Sequence, residues 1–502
     1  MRHRTRHPGG SGRLTDPDRS DPRPDSPLIR LYDTLTMQVR PLAQRDPGKV
    51  SLYACGPTVY DHPHLGHARQ ALTYDVLRRY LEWRGVEVHH VANVTDIDDN
   101  IINRANKEGL TEPQVAAEWE AVYIEVMDEL DILHPHDRPH ATEFVDEMVA
   151  FIATLMDNGS AYATESGVYL RVRSVPGYGD LVHRSFDELA EGSGARVEVD
   201  EHKEDPLDFA LWKSAKPDEP TWPSPWGPGR PGWHIECVAM SLGILGDGFD
   251  LHGGGDDLVF PHHTNERAEA IAAGRPFAQH WLHNAMLNVG GEKMAKSLGN
   301  FRTVRDLLDE HPLNARALRL LLLQTHYRKT MEVNAEVMTQ ARAAIERIDS
   351  MARRAGAAGV PLDGTQLDGI GCDTASLEAF VAAMDNDLGT PEAVAVIFDT
   401  VRRANTALDT SPAGDSEEAA RLVATVVDLT AALGIGVGGT HGAEDSGGAS
   451  ESDSDKIEAL VAARSSARDS KDFAEADRLR DELTALGVVV EDTPNGPVWH
   501  RR

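Results

Sequence analysis

An apolar run, Val50 to Cys55, is followed after a short Gly- and Pro-containing turn by apolar residues at Ala68, Leu72, Val76, Tyr80 and Leu81. The first reads as a buried strand and the second as one face of a helix at 3.6-residue spacing. Strand, turn and helix in that order is a phosphate-binding context. The helix opens on His64-Leu65-Gly66-His67. A helix N-terminus offers unpaired amide hydrogens and the positive end of a dipole to an anion, and imidazoles add donors. His64 and His67 are three residues apart, so they share one face of the first turn and both reach toward a phosphate.

Far along the chain stands Lys293-Met294-Ala295-Lys296-Ser297. A loop bearing two lysines and closing from the opposite side would take the outer phosphates of a nucleotide while the histidines meet charge building on the α-phosphate. Either segment alone is a weak signal, since a short Lys pair is ordinarily a solvated loop.

The two segments match the HxGH and KMxKS hallmarks of class I aminoacyl-tRNA synthetases, and further stretches narrow the resemblance. Cys55-Gly56-Pro57-Thr58-Val59-Tyr60-Asp61, Asn93-Val94-Thr95-Asp96-Ile97-Asp98-Asp99, Gly232-Trp233-His234-Ile235-Glu236-Cys237, His252-Gly253-Gly254-Gly255 and Phe260-Pro261-His262-His263 resemble the cysteinyl-tRNA synthetase family, from about Ile29 to the last residue. The resemblance implies a split Rossmann-like catalytic domain, activation of L-cysteine by ATP with Mg²⁺, and transfer of the cysteinyl group to tRNA(Cys). It assigns His64, His67, Lys293 and Lys296 to catalysis, and His64, Gly66, His67, Lys296 and Asp257 to ATP. Trp233, Thr95 and His252 fall to the amino-acid pocket. The family loop is usually Lys-Met-Ser-Lys-Ser, whereas Ala295 stands at its third position. The missing hydroxyl removes one hydrogen bond worth ~1 kcal/mol, which is no argument for an inactive enzyme.

Three cysteines are too few and too scattered for a disulfide framework. Cys55, Cys237, His262 and Glu266 form a donor set that suits Zn²⁺, the last two being four apart on a helix start. By residue type alone a lone Cys is more often a small core residue, and a His/Glu pair at helical spacing more often a surface pair or a cap. The resemblance matches all four to the family's zinc ligands and implies one Zn²⁺ per chain. Zinc would separate cysteine from serine by ligand softness and acidity, a contrast that a hydrophobic pocket discriminates only modestly. Cys372 lies outside every motif and reads as a non-ligand.

Organisation along the chain is read as follows. Residues 1–27 form a polar, disordered tail without a signal-peptide core, and no apolar run approaches the length of a membrane span. Residues 28–118 and 225–303 are the two halves of the catalytic domain, separated by a connective insertion at 119–224. Within that insertion helices are expected at Glu118 to Leu133 and Thr142 to Asn158, and a strand at Gly167 to Val172. Residues 304–370 form a stem-contact helical region and 371–433 a helical bundle. An acidic Gly/Ser linker at 434–455 leads to a small α+β module at 456–502, with a helical pair to Leu486 and a strand at Val488 to Val490. The resemblance makes that module an anticodon reader, with Arg468, Phe473, Asp477 and Asp492 toward the bases. A related ligase that joins activated cysteine to an amino sugar lacks such a module.

Acidic residues outnumber basic ones by 81 to 50, a formal net charge of −31, with ten Lys against forty Arg. Neutralising phosphates ordinarily takes Lys and Arg on the binding face. The balance fits a halophilic cytoplasmic protein, in which screening relieves self-repulsion and RNA recognition leans on shape, stacking and base contacts, and it also fits an ordinary acidic cytosolic enzyme with a local basic stripe. A monomer is expected.

Overall fold

The computed structural model describes residues 29–192, 202–217, 219–289, 292–293, 303–362, 370–410, 417–438, 451–470, 472–486, 488–493 and 496–501. The N-terminal tail, most of the Lys loop and most of the acidic linker lie outside these residues. The chain forms two compact units: one runs from the first strand to Ala341 and includes Ala382–Pro391, and the other holds Arg342–Val381 and Glu392–Arg502.

The first unit opens with a hairpin, β1 (Arg30–Asp33) and β2 (Gln38–Pro41), paired antiparallel. Next come β3 (Lys49–Ala54), helix α1 (Leu65–Trp83) and β4 (Glu87–Ala92). Every residue of β3 after Lys49 is buried, as befits a parallel strand covered on both faces. All the apolar positions expected on one helix face, Ala68, Leu72, Val76, Tyr80 and Leu81, are buried in α1.

After β4 come α2 (Asp99–Glu108) and α3 (Glu112–Glu129), which pack on Val59 and Val94 through Ile101, Val115 and Trp119. Helix α3 begins at Glu112, ahead of the expected Glu118, because Thr111 and Gln114 form a capping box with Pro113 in the first turn. Helix α4 (Val145–Asp157) follows a short 3₁₀ turn at Ala141–Phe144. Strands β5 (Ala161–Ala163), β6 (Gly167–Leu170), β7 (Phe209–Ser214) and β8 (Gly229–Pro231) make an antiparallel sheet in sequence order, with helix α5 (Phe186–Gly192) between β6 and β7. Strand β8 lies past residue 224, where the insertion is expected to end, yet it pairs with β7 from Trp212 to Ser214. The antiparallel sheet therefore runs into the stretch assigned to the second half of the catalytic domain.

The chain then re-enters the nucleotide-binding fold through α6 (Trp233–Leu245), β9 (Leu251–Gly255), α7 (Thr264–Ala272) and β10 (His280–Asn284). The parallel sheet has the order β10-β9-β3-β4. From β3 the chain first moves to β4 on one side and returns at β9 on the other. The strand order therefore reverses between β3 and β9, and the crevice beyond their carboxyl ends is where ligands bind in such sheets.

Short strands β11 (Leu287–Val289), β12 (Glu292–Lys293) and β13 (Met331–Val333) enclose α8 (Val304–Leu308) and α9 (Asn314–Leu323) in sequence. The stem-contact region expected at 304–370 thus opens with two separate helices. Helix α1 is held from behind by buried charge: Arg319 of α9 places Nη1 2.7 Å from Asp75 Oδ2, and Arg79 Nε lies 2.9 Å from the same oxygen. Removing one partner of such a buried pair costs about 3–5 kcal/mol.

Helices α10 (Ala335–Ala357) and α11 (Thr374–Asp385) both cross the boundary between the units. The second unit contains α12 (Thr390–Thr410) for most of its length and all of α13 (Glu417–Ala432). The C-terminal module is α14 (Glu451–Asp469), α15 (Phe473–Ala485) and the hairpin of β14 (Val488–Thr493) with β15 (Gly496–Arg501). Helix α14 starts within the span expected to be linker, and β15 is a strand that the sequence pattern does not announce.

Candidate active site and metal centre

The β3–α1 connection is built by the HxGH residues themselves. His64 is the N-cap of α1: the amide of Gly66 donates to His64 Nδ1 at 3.0 Å, and the amide of His64 donates to His67 Nδ1 at 3.2 Å. The two rings stack with centroids 3.7 Å apart and planes 20° off parallel. A Cβ on Gly66 would stand 2.8 Å from His64 Cε1, so only glycine fits beneath that ring. Leu65 is buried and anchors the turn. The motif's spacing is therefore a cap in which both Nδ1 atoms hold backbone and the imidazoles are fixed as a pair.

The far end of the Lys loop returns to this turn. His64 and Thr303 form an antiparallel bridge, and the amide of Val304 donates to Pro63 O at 2.9 Å. At the near end, Lys293 pairs with Asn288 of β11. The loop thus leaves from β12 and lands beside His64, while Lys296 itself lies outside the described residues.

Cys55 directly follows β3, and its amide donates to Gly253 O of β9 at 3.0 Å. Around it gather Cys237 from α6, His262 from the turn before α7 and Glu266 from the first turn of α7, all four buried. Cys55 Sγ lies 3.7 Å from both Cys237 Sγ and Glu266 Oε1; His262 Nε2 is 3.5 Å from Cys237 Sγ and 3.1 Å from Glu266 Oε1. A zinc tetrahedron with bonds of about 2.3 Å to sulfur and about 2.05 Å to nitrogen has edges of about 3.8 Å (S–S) and about 3.5 Å (N–S). The residues fit the ion.

Without a cation this cluster is under electrostatic tension. Burial pushes the Cys55 thiol well above its ordinary range, reinforced by Cys237 and Glu266. At Cys237 the hydrogen bond from Cys55 acts downward, yet burial and the Glu266 carboxyl prevail and the thiol is raised. Burial also raises the Glu266 carboxyl against the opposing pull of His252, and holds the His262 imidazole well below its usual range. A dication in the centre reverses the preference of the thiols and the carboxyl, because each ionised form is then paired.

Further side chains surround the four. His252, expected at the amino-acid pocket, is fully buried with Nε2 2.7 Å from Glu266 Oε2, so it braces a ligand candidate. His263 Nε2 lies 3.3 Å from Cys55 Sγ, and His252 and His263 form a second donor group with Cys55 and Glu266. The first group holds both thiols and is the softer set. Trp233, 39% exposed, packs over His262 at a centroid distance of 4.2 Å. The Thr95 hydroxyl is buried and donates to Glu236 Oε2 at 2.9 Å. Asp257 is exposed just beyond β9. Sequence reasoning gives no role to His263, His283 or Glu236; the doublet His262-His263 is the available signal for the first.

A family profile described as the class I (C) tRNA synthetase catalytic domain matches residues 41–343, a DALR domain matches 379–437, and a cysteinyl-tRNA ligase anticodon binding domain matches 453–499. The cysteine–tRNA ligase of Symbiobacterium thermophilum is 44% identical over 482 residues, covering 94% of this chain and 99% of that protein. That of Halorhodospira halophila is 45% identical over 480 residues, covering 94% and 100%. The chain belongs to the cysteine–tRNA ligase family. The fold is shared more widely: a Mycobacterium tuberculosis methionyl-tRNA synthetase in complex with methionyl-adenylate superposes with a TM-score of 0.55 at 15% identity, covering 77% of this chain and 90% of that one.

Within the cysteine–tRNA ligase framework, the C-terminal residues are placed as follows. Arg468 is exposed near the end of α14 and Phe473, 64% exposed, opens α15, so they flank one turn. Asp477 stands one helical turn on, with Oδ1 3.1 Å from Arg480 Nη1. Asp492 lies on β14, across the hairpin from Pro497. Cys372 is partly buried, forms no disulfide, and belongs to the other unit from the Cys/His/Glu cluster. Among the described residues no helix is long and apolar enough to cross a membrane.

Proposed function

We propose that this chain activates L-cysteine with ATP and transfers the cysteinyl group to tRNA(Cys), with its buried donor set holding Zn²⁺ to select the amino acid. The observation that carries the reading is the buried cluster of Cys55, Cys237, His262 and Glu266 beside the sheet's switch point, with Cys55–Cys237 and Cys237–His262 separations that match tetrahedral zinc edges. Bound Zn²⁺ supplies a soft Lewis acid that favours a thiolate over an alkoxide and so distinguishes cysteine from serine. Trp233 walls the pocket beside His262, and His252 steadies Glu266.

In the first step a carboxylate oxygen of cysteine attacks the α-phosphorus of Mg²⁺-bound ATP. The bond to the bridging oxygen breaks and pyrophosphate leaves. His64 and His67, locked by their cap, present imidazole donors to the α-phosphate as its charge grows. Lys296 and Lys293 meet the departing phosphates, and Asp257 takes the ribose. In the second step the terminal ribose hydroxyl of the tRNA attacks the cysteinyl carbonyl and AMP leaves. Neither step needs a covalent nucleophile from the protein; positioning and charge suffice. Arg468, Phe473, Asp477 and Asp492 are the residues that read the anticodon.

The test is cysteine-dependent ATP/pyrophosphate exchange at low and multimolar salt, repeated with serine and after zinc chelation. Exchange specific to cysteine and lost with the metal is expected. Lys296→Ala should depress it by orders of magnitude with zinc content unchanged. Absence of exchange from folded, zinc-loaded protein at every salt concentration would refute the proposal.

A further inference from the structure

A line of hydrogen bonds leaves the metal cluster and ends on the N-terminal hairpin. His263 Nε2 is 3.3 Å from Cys55 Sγ, and His263 Nδ1 is 2.7 Å from His283 Nε2. His283 Nδ1 is 2.7 Å from Thr34 Oγ1, contributed by a residue 249 positions earlier in the chain. Both imidazoles are buried, whereas Thr34 is half-buried on the turn between β1 and β2. Thr34 is itself held on both sides: its amide donates to Trp281 O at 2.9 Å, and its carbonyl lies 2.7 Å from His183 Nε2. The residue precedes the stretch matched by the catalytic-domain profile, which begins at residue 41.

Each neutral imidazole carries one N–H and one lone pair, so a chain of two imidazoles has only two self-consistent directions. A Cys55 thiolate accepts and cannot donate. It therefore selects the direction in which His263 Nε2–H points at the sulfur, His283 Nε2–H donates to His263 Nδ1, and His283 Nδ1 is left as an acceptor. That last nitrogen is satisfied by a hydroxyl hydrogen, and Thr34 Oγ1 stands at hydrogen-bond distance to supply it.

We infer that Thr34 is a positioning residue for the metal centre, its hydroxyl setting the tautomers of His283 and His263 so that an N–H bond is aimed at the Cys55 thiolate. The inference rests on the zinc reading given above. An N–H bond to a ligating sulfur fixes its orientation and moderates its donation to the metal. Groups acting at this remove from a metal commonly change affinity or activity by about 10–100-fold when altered.

The experiment uses the full chain, loaded with Co²⁺ in place of zinc, in wild-type, Thr34→Val, Thr34→Ser and Thr36→Val forms. Thr36 is the control: its hydroxyl donates to Asp33 Oδ2 at 2.8 Å on the same turn, so it tests loss of a hydroxyl there without removing the bond to His283. Thr34→Val should weaken Co²⁺ and Zn²⁺ binding about tenfold or more, shift the sulfur-to-cobalt absorption band and raise the KM for cysteine but not for ATP. Thr34→Ser should restore all three, and Thr36→Val should leave them unchanged. Nitrogen-15 spectra of the histidines in zinc-loaded wild-type protein test the same point without a substitution, and should show His283 and His263 both protonated at Nε2. Wild-type affinity, spectrum and KM in Thr34→Val, failure of Thr34→Ser to restore them, or a His283 proton on Nδ1 would each overturn the positioning role. Wild-type protein that takes up no stoichiometric metal would overturn the zinc reading itself, and the role of Thr34 with it.

Discussion

Gly66 shows how one missing Cβ holds the His64–His67 turn together. The His64 ring lies over Gly66 to accept its amide, and His67 reaches back to the His64 amide, so the cap and the imidazole pair are one structure. In Gly66→Ala the added carbon would fall 2.8 Å from His64 Cε1 and 2.9 Å from Nδ1, which displaces the ring. Loss of the cap should lower stability by about 1 kcal/mol. Misplacing a donor at the reacting phosphate should slow cysteine-dependent pyrophosphate exchange by roughly 100-fold or more. Metal content should not change, since the four donors come from other positions, and atomic absorption on the purified variant checks this. If the buried cluster holds zinc as proposed, Cys237→Ser replaces a soft donor with a poor one, and zinc and cysteine activation should be lost together. Retained preference for cysteine over serine in that variant would contradict selection by the metal.

At the scale of elements, β4 carries a titration that the fold opposes. His90 is buried with both ring nitrogens lacking a hydrogen-bond partner among the described residues, and burial, assisted by Arg78, depresses its pKa to about 3. The folded value lies below that of the unfolded chain, so its contribution is complete above about pH 6.5 and is lost as pH falls toward 3. Between about pH 7 and pH 5.5 this one residue should cost about 1 kcal/mol of stability. Urea unfolding of wild type and His90→Leu at the two pH values measures it; the fall with pH should be smaller by that amount in the variant. Elements also differ in how well the sequence discloses them. Strand β3 and helix α1 are legible because burial imposes a strong pattern on them, and the residues of the buried Cys/His/Glu cluster can be picked out because they sit in short motifs. The start of α3 escapes because its signal is a Thr111/Gln114 cap rather than an apolar period. Strands of three or four residues such as β5 and β8 are too short to show alternation, and their partners can be distant in sequence. The path from Cys55 to Thr34 is illegible for a related reason: nothing in the spacing of His263, His283 and Thr34 states that the fold brings them together.

For the molecule as a whole, activation and anticodon reading are assigned to parts with separate cores. Cys55, His64, Cys237, His262 and Glu266 all belong to the unit that ends at Ala341 and regains Ala382–Pro391. The C-terminal module has its own apolar cluster of Ile457, Val461, Leu483 and Val488, with a second formed by Ala467, Ala476 and Leu479. Over residues 453–499 there are six Lys and Arg against eleven Asp and Glu, a formal net charge of −5. A module of that charge attracts RNA poorly at long range, so its contribution must come from stacking and base contacts, for which exposed Phe473 is suited. Ending the chain at residue 438 should therefore leave cysteine-dependent pyrophosphate exchange within about twofold of wild type, because adenylate formation draws on positioned groups elsewhere. Charging of tRNA(Cys) at limiting tRNA should fall by at least about 100-fold, the loss expected from removing two or more base contacts of ~1.5 kcal/mol each. Phe473→Ala in the full chain should reproduce part of that loss, and should do so at low and high salt alike, since stacking does not depend on counterion release. A loss confined to low salt would instead place the contribution of the module in phosphate attraction, against what its charge allows.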